Sequence, residues 1–320
     1  MKLKTTAIAL AVAGTVAAPV AVHAGADEVY ASARVGVWYR DLDATDQADF
    51  DVRSFASRFG ARGETDLGNG LTGFGRYEWG VDFNNGGGSP STRHRYVGLK
   101  GDFGSVTLGQ AYHTWYNYVV GPLDNPWWHS GYTMVEYRGR TDKGITYSGG
   151  AGAVSFGVTA YLQEDGEETA PDGLEAGLSF GLGDSTLAVA FSQVDEDGAG
   201  IKNNPGAQGT TGDDEDIVGI AWSGIGIGDT SLGVSYMMQD DDEGLVLDWG
   251  IGNMYVHAEL LMLDAADADP MTITLGYTQS LGRKTTMYYE AVSIDSDGID
   301  DPATYEDSTR FMAVLKYDII

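Results

Sequence analysis

The sequence predicts an all-β fold, a transmembrane antiparallel β-barrel of about sixteen strands. Three observations lead there: apolar and polar residues alternate with period two along the chain, tight glycine turns interleave with long acidic runs, and the first residues are composed like a secretory leader.

The alternation is clearest from Met271 to Leu281. There MTITLGYTQSL places Met271, Ile273, Leu275 and Tyr277 on one side of a strand and Thr272, Thr274, Gly276 and Thr278 on the other, because successive Cβ atoms of a strand point to opposite faces. The same period recurs in Val154, Phe156, Val158, Ala160 and Leu162, in Leu232, Val234, Tyr236 and Met238, and in Phe311, Ala313, Leu315, Tyr317 and Ile319. Helical spacing is absent. The breaks predict strands beginning near Val29, Val52, Leu71, Thr92, Ser105, Arg138, Ala153, Gly173, Ser185, Glu215, Thr230, Leu245, Met254, Pro270, Thr285 and Ser308, an even number, as single-chain outer-membrane barrels require.

Connections such as KGDFGS, SGGAGA, GLGDS and SLGRK are short, whereas QEDGEETAPDG, the run from Asp195 to Asp216, QDDDEG, DAADADP and DSDGIDDPATYED read as solvated acidic loops suited to a salty habitat. Short turns at one end and long loops at the other is the outer-membrane plan. A soluble sandwich also alternates; the leader, the loop lengths and the Tyr and Trp residues near segment ends separate the two. Trp38, Tyr39, Tyr77, Trp79, Trp222, Tyr236, Trp249, Tyr255, Tyr277, Tyr288 and Tyr317 suit two interfacial girdles.

At the amino terminus Lys2 and Lys4 precede an apolar run from Ala7 to Val22, closing on Val22 and Ala24. Residues 1–24 are expected to be a signal peptide and residues 25–320 a single barrel domain. Removal of Lys2 and Lys4 leaves 17 basic against 47 acidic residues, a formal charge of −30, which argues against nucleic acid as a partner. The absence of cysteine excludes disulfide scaffolds, thiol enzymes and thiolate metal sites.

RFGARGETDLGNGLTGFGRYEWGVDF, from Arg58 to Phe83, and TRHRYVGLKGDFGSVTLGQAYH, from Thr92 to His113, resemble the general trimeric porins of Gram-negative bacteria. The resemblance implies a water-filled pore that passes ions and small hydrophilic solutes, a homotrimer, contact with outer-membrane lipid and lipopolysaccharide, and no cofactor. It also implies that the third external loop, about His113 to Glu136, folds into the lumen, with Asp124 and Glu136 facing a basic wall that includes Arg34, Arg58 and Arg140. Gln110 stands where the family carries another wall arginine, and the chain ends in Ile319 and Ile320 where the family ends in an aromatic residue.

Parity supplies an independent reading, since a cation facing lipid costs roughly 2 to 4 kcal/mol at the bilayer midplane. With Val35, Val37 and Tyr39 outward, Tyr30, Ser32, Arg34 and Trp38 point in; Arg58 is inside opposite Phe59, and Arg76 and Glu78 are inside opposite Tyr77 and Trp79. Arg93 and Arg95 share a face with Val97 and Leu99, which predicts a strand end or a subunit contact for both. The inner-loop aromatics Trp115, Tyr116, Tyr118, Trp127 and Trp128 suit either a sugar slide or packing against the wall. A sugar-specific channel is the nearest alternative. A calcium-binding secreted β protein, suggested by the acidic runs, is a weaker one. No hydrolase constellation accompanies His94, His113, His129 or His257, so no enzymatic function is expected.

Overall fold

A computed structural model describes residues 23–24, 27–42, 47–83, 90–128, 139–162, 171–194, 215–264, 267–297 and 307–320. Among them a single antiparallel sheet closes on itself. Its strands are β1 Glu28–Leu42; β2, in two halves, Gln47–Ser54 and Ser57–Gly68; β3 Leu71–Val81; β4 Ser91–Gly101; β5 Gly104–Tyr112; β6 Arg140–Ala151; β7 Val154–Tyr161; β8 Gly173–Leu182; β9 Ser185–Val194; β10 Glu215–Ile227; β11 Thr230–Gln239; β12 Asp242–Ile251; β13 Met254–Met262; β14 Met271–Gly282; β15 Thr285–Asp295; and β16 Ser308–Asp318. A two-residue stretch, His23–Ala24, pairs with β2 at Asp66 and Thr65, in line with β1. Each strand pairs with the next in sequence, and β16 returns to β1 from Ser308 opposite Leu42 to Asp318 opposite Ser32. The barrel is therefore sixteen-stranded and has no free edge.

Strand boundaries fall close to those read from the sequence, with two instructive departures. The QDDDEG run is no long loop: Asp240, with φ of 51°, and Asp241 form a two-residue turn, and β12 starts at Asp242, three positions before the predicted Leu245. Asp residues tolerate the left-handed backbone such a turn needs, so a run of acids can read as a loop and fold as a hairpin. Strand β2 starts earlier than the predicted Val52 and breaks at Phe55 and Ala56, where Ala56 has φ of 49° and the Phe55 N–H is redirected to the Arg34 carbonyl at 2.8 Å. At the opposite end, Gly68, Asn69 and Gly70 all take positive φ (82°, 53° and 76°), the conformation for which the Gly-Asn-Gly sequence of that turn is suited.

The alternation becomes a radial sorting. Phe156, Val158, Val189, Phe191, Ile220, Trp222, Leu247, Trp249, Leu275, Tyr277, Phe311 and Leu315 are exposed on the outer surface, while their neighbours Thr159, Ser192, Ala221, Asp248, Thr274 and Met312 are buried within. Of the aromatics read as suiting girdles, Tyr255 and Tyr288 point the other way, and Trp38 points inward as the parity of its strand predicts. Trp38, Tyr255 and Tyr288 lie on the inner face, where they pack the chain segment described below.

Leu247 lies mid-strand on the outer face. Replacing it with arginine (Leu247→Arg) is expected to lower unfolding stability by roughly 2 to 4 kcal/mol in lipid vesicles. Urea titration of folded protein checks this; an unchanged midpoint would show that Leu247 does not face lipid.

Candidate functional site

On the inner face of β1–β4 a cluster of arginines is organised around one carboxylate. Glu78, wholly buried on β3, accepts from Arg93 Nε at 2.8 Å on Oε1 and from Arg76 Nη2 at 2.6 Å and the Tyr30 hydroxyl at 2.8 Å on Oε2. Arg58 Nη1 stands 3.8 Å from the same carboxylate. A buried carboxylate is costly unless paired and hydrogen-bonded, and three guanidiniums meet that need with charge to spare. The arginine side chains stay partly open, at 23% for Arg58, 24% for Arg76 and 19% for Arg93.

Arg93 corrects the sequence reading that placed it at a strand end or a subunit contact. In the pairing of β3 with β4, Glu78 sits opposite His94 and Trp79 opposite Thr92, so Arg93 is the extra residue of a β-bulge. The bulge shifts the parity of the strand and turns Arg93 inward onto Glu78, whereas Arg95 stays exposed on the outside.

Arg34 donates from Nε to Ser32 Oγ at 3.2 Å, and its guanidinium lies over the Trp127 ring, 5.4 Å from the centroid. The Arg140 guanidinium lies 4.9 Å over the Tyr112 ring and also donates to the Tyr112 hydroxyl. Gln110 is buried and donates from Nε2 to the Arg140 carbonyl at 3.2 Å.

The segment leaving β5 lies along the inner wall. Its first part makes one wide helical turn, Tyr116–Val120, closed by a 2.6 Å bond from the Gly121 N–H to the Tyr116 carbonyl. Trp115, Val119, Val120 and Leu123 are fully buried against Ala190, Ile217, Ala221, Met237, Val246 and Leu261 of β9–β13. Glycines make the room: a Cβ at Gly177 would fall 2.8 Å from Thr114 and Tyr118 side-chain atoms, and one at Gly219 would fall 2.8 Å from Trp115. The segment then crosses to Trp127 and Trp128. There Trp127 stacks on Tyr288 at 4.4 Å, and Trp128 meets Phe55 edge-on at 5.1 Å.

Three wall carboxylates hold this segment. Glu175 accepts from the Trp115 N–H at 2.8 Å and the Tyr161 hydroxyl at 2.7 Å; Asp248 accepts from Asn125 Nδ2 at 2.6 Å; Glu290 accepts from the Trp127 and Trp128 N–H groups and the Tyr255 hydroxyl. Asp248 also faces His257 Nδ1 at 3.1 Å, and His257 Nε2 faces Glu259 at 2.9 Å. Both ring nitrogens thus face carboxylate oxygens.

Of the acids expected to face the arginines, Asp124 accepts from the Tyr116 hydroxyl at 2.7 Å, and Glu136 lies outside the described residues. Sequence reasoning missed Glu175, Asp248, Glu259 and Glu290. The signal was present, since each is a carboxylate mid-strand on the polar parity. Equally, Ile217, Met237, Val246 and Leu261 are apolar on a face that should be wet, which marks where a buried segment lies.

A closed sheet, apolar outside and charged inside, with one connection laid across its interior, defines a transmembrane channel barrel. A family model described as Gram-negative porin matches residues 5–299, and the chain belongs to that family of non-enzymatic outer-membrane barrels. The major outer membrane protein P.IB of Neisseria gonorrhoeae is 27% identical over 192 residues, covering 56% of this chain. The matched part spans about half, 53%, of that relative's length. Among solved structures, the anion-selective porin from Comamonas acidovorans matches with a TM-score of 0.76 at 16% identity, over 92% of this chain and all of that one. OmpF of Salmonella typhi matches with a TM-score of 0.70 at 16% identity, over 92% and 98%. The trimer form of OmpT from Vibrio cholerae matches with a TM-score of 0.66 at 17% identity, over 92% and 100%. At such identities the likeness is one of fold.

Truncating Glu290 (Glu290→Ala) removes the acceptor for two backbone N–H groups of the inner segment. Hydrogen exchange at Trp127 and Trp128 is expected to accelerate at least tenfold, as loss of charge-assisted bonds worth roughly 1.5 to 3 kcal/mol each implies. Amides in β8–β13 should keep wild-type protection.

Proposed function

We propose that this chain is a general diffusion porin, carrying ions and small hydrophilic solutes passively across the outer membrane through the barrel lumen. The observation that carries the reading is the charged, partly exposed inner wall beside a segment fastened across the interior. In this reading Arg34, Arg58, Arg76, Glu78, Gln110 and Arg140, with Arg93 added, form the constriction wall. Trp115, Tyr116, Tyr118, Asp124, Trp127, Trp128 and Glu136 belong to the loop that narrows it. Trp115 is fully buried and out of reach of a passing sugar, which disfavours the sugar-slide alternative at that position.

Homologous porins occur as trimers, and an equivalent assembly is proposed here. Supporting it, the outer face of β2–β5 bears a hollow of about 610 Å³ lined by Ala61, Gly63, Gly75, Tyr77, Arg95 and Val97. A neighbouring copy seated there would shield Arg95 from lipid. Cleavage of a leader after Ala24 completes the proposal for export.

Selectivity follows from which charges meet solute. The wall carboxylates Glu175, Asp248, Glu259 and Glu290 are buried, whereas the arginines keep exposed surface. The acidic loops act from farther away, and the Debye length falls from about 8 Å at physiological salt to about 3 Å at 1 M, so their pull fades first. Planar-bilayer recordings are expected to show conductance rising in threes and reversal potentials leaning to cations in dilute salt, flattening as salt rises. The double substitution Arg58→Gln, Arg93→Gln should move them toward cations at every salt concentration. A strong anion preference at low salt overturns the charge reading, and stability of the processed chain in plain buffer without amphiphile overturns the barrel channel.

A further inference from the structure

Two arginines of the inner wall keep donors that no described residue fills. The Arg34 Nε bonds Ser32 Oγ, the Arg58 Nε bonds the Ala56 carbonyl at 3.4 Å, and among the described residues no carboxylate forms an ion pair with Arg34. Arg58 reaches Glu78 only at 3.8 Å and stands within electrostatic reach of both Arg34 and Arg93. Glu78, meanwhile, is already engaged by Arg76, Arg93 and Tyr30. Among the described residues the cluster thus holds more guanidinium than carboxylate, and guanidinium groups present the planar, forked donors that a carboxylate accepts.

Flat ring pairs stand on either side of these arginines. Trp127 and Tyr288 are stacked at 4.4 Å with planes 14° apart, and Arg34 lies over Trp127. Tyr112 and Tyr116 are stacked at 3.8 Å with planes 12° apart, and Arg140 lies over Tyr112. Each pair joins one strand residue to one residue of the inner segment, and all four rings are only partly buried. A solute passing here meets cationic donors and aromatic faces together.

The geometry points to a subsite for planar aromatic carboxylates, with the carboxylate on Arg34 and Arg58 and the ring against Trp127 and Tyr288. The inference rests on the channel reading and names a preferred class of solute within it. A ring that is aromatic gains from edge-to-face packing on the pair of Trp127 and Tyr288, whose facing sides cover each other, and from the adjacent guanidinium. A saturated ring of the same charge and similar size gains the charge interaction and little more.

The test is block of potassium chloride current in planar bilayers by benzoate and by cyclohexanecarboxylate. In the wild-type protein the half-blocking concentration of benzoate is expected to be about two- to tenfold lower, the range that one aromatic pair supplies. Arg34→Gln should raise both concentrations and preserve their ratio. Trp127→Leu and, independently, Tyr288→Leu should bring the ratio towards one, while Trp249→Leu on the outer surface leaves it at the wild-type value. Equal half-blocking concentrations in the wild type would mean that the rings serve only to fasten the inner segment, and would overturn the subsite. Absence of any potassium chloride conductance would overturn the channel reading instead.

Discussion

Hydrocarbon offers a peptide group no hydrogen-bonding partner, and each amide left unpaired there costs several kcal/mol. Every feature of this barrel follows from that constraint. The strand beginning at Glu28 has to find the strand ending at Asp318, and the eleven paired positions from Ser308 to Asp318 close the ring. Closure removes the edges through which an open sheet would associate, and it lets a chain without cysteine hold its shape through backbone pairing and packing. The radial sorting follows as well. Side chains that alternate along each strand must divide between lipid and lumen, so Leu247 and Asp248 can be neighbours in sequence and opposites in environment.

The lumen is divided by a second division of labour, between buried anions and part-exposed cations. Glu175, Asp248 and Glu290 spend their lone pairs on the backbone and side chains of the segment from Trp115 to Trp128. Because backbone N–H donors are independent of side-chain identity, Glu175 and Glu290 fix the path of the segment whatever residues it displays, whereas the hold of Asp248 depends on Asn125. Arg58, Arg76 and Arg93 share the carboxylate of Glu78 and keep part of their surface open to the interior. The local charge presented to a solute is therefore more positive than a formal chain charge of −28 suggests.

Much of this was legible beforehand. Period-two alternation located the strands because each must bury one face in lipid, and the cost of a lipid-facing cation was enough to direct Arg34, Arg58 and Arg76 inward, with Glu78 following Arg76 by parity. Parity failed where the backbone left the regular ladder. The bulge at Arg93 reverses which way a side chain points, and nothing in the local residue types announces it. Aromatic residues failed for another reason: Tyr255 and Tyr288 are as amphipathic as any girdle residue, and only the segment packed against them shows which role they take.

What the sequence determined by itself is the barrel, its strand number and the sign of the environment on each face, since these depend on neighbours one and two residues away along a single strand. What only the tertiary structure decided is which inward side chains meet. Glu78 is brought to Arg58 and Arg93, Glu290 to Trp127 and Asp248 to Asn125 across separations of up to 163 residues. Those meetings depend on strand register, on one bulge and on the path of one connection. Register is set by pairing between strands, a property that no single stretch of sequence contains.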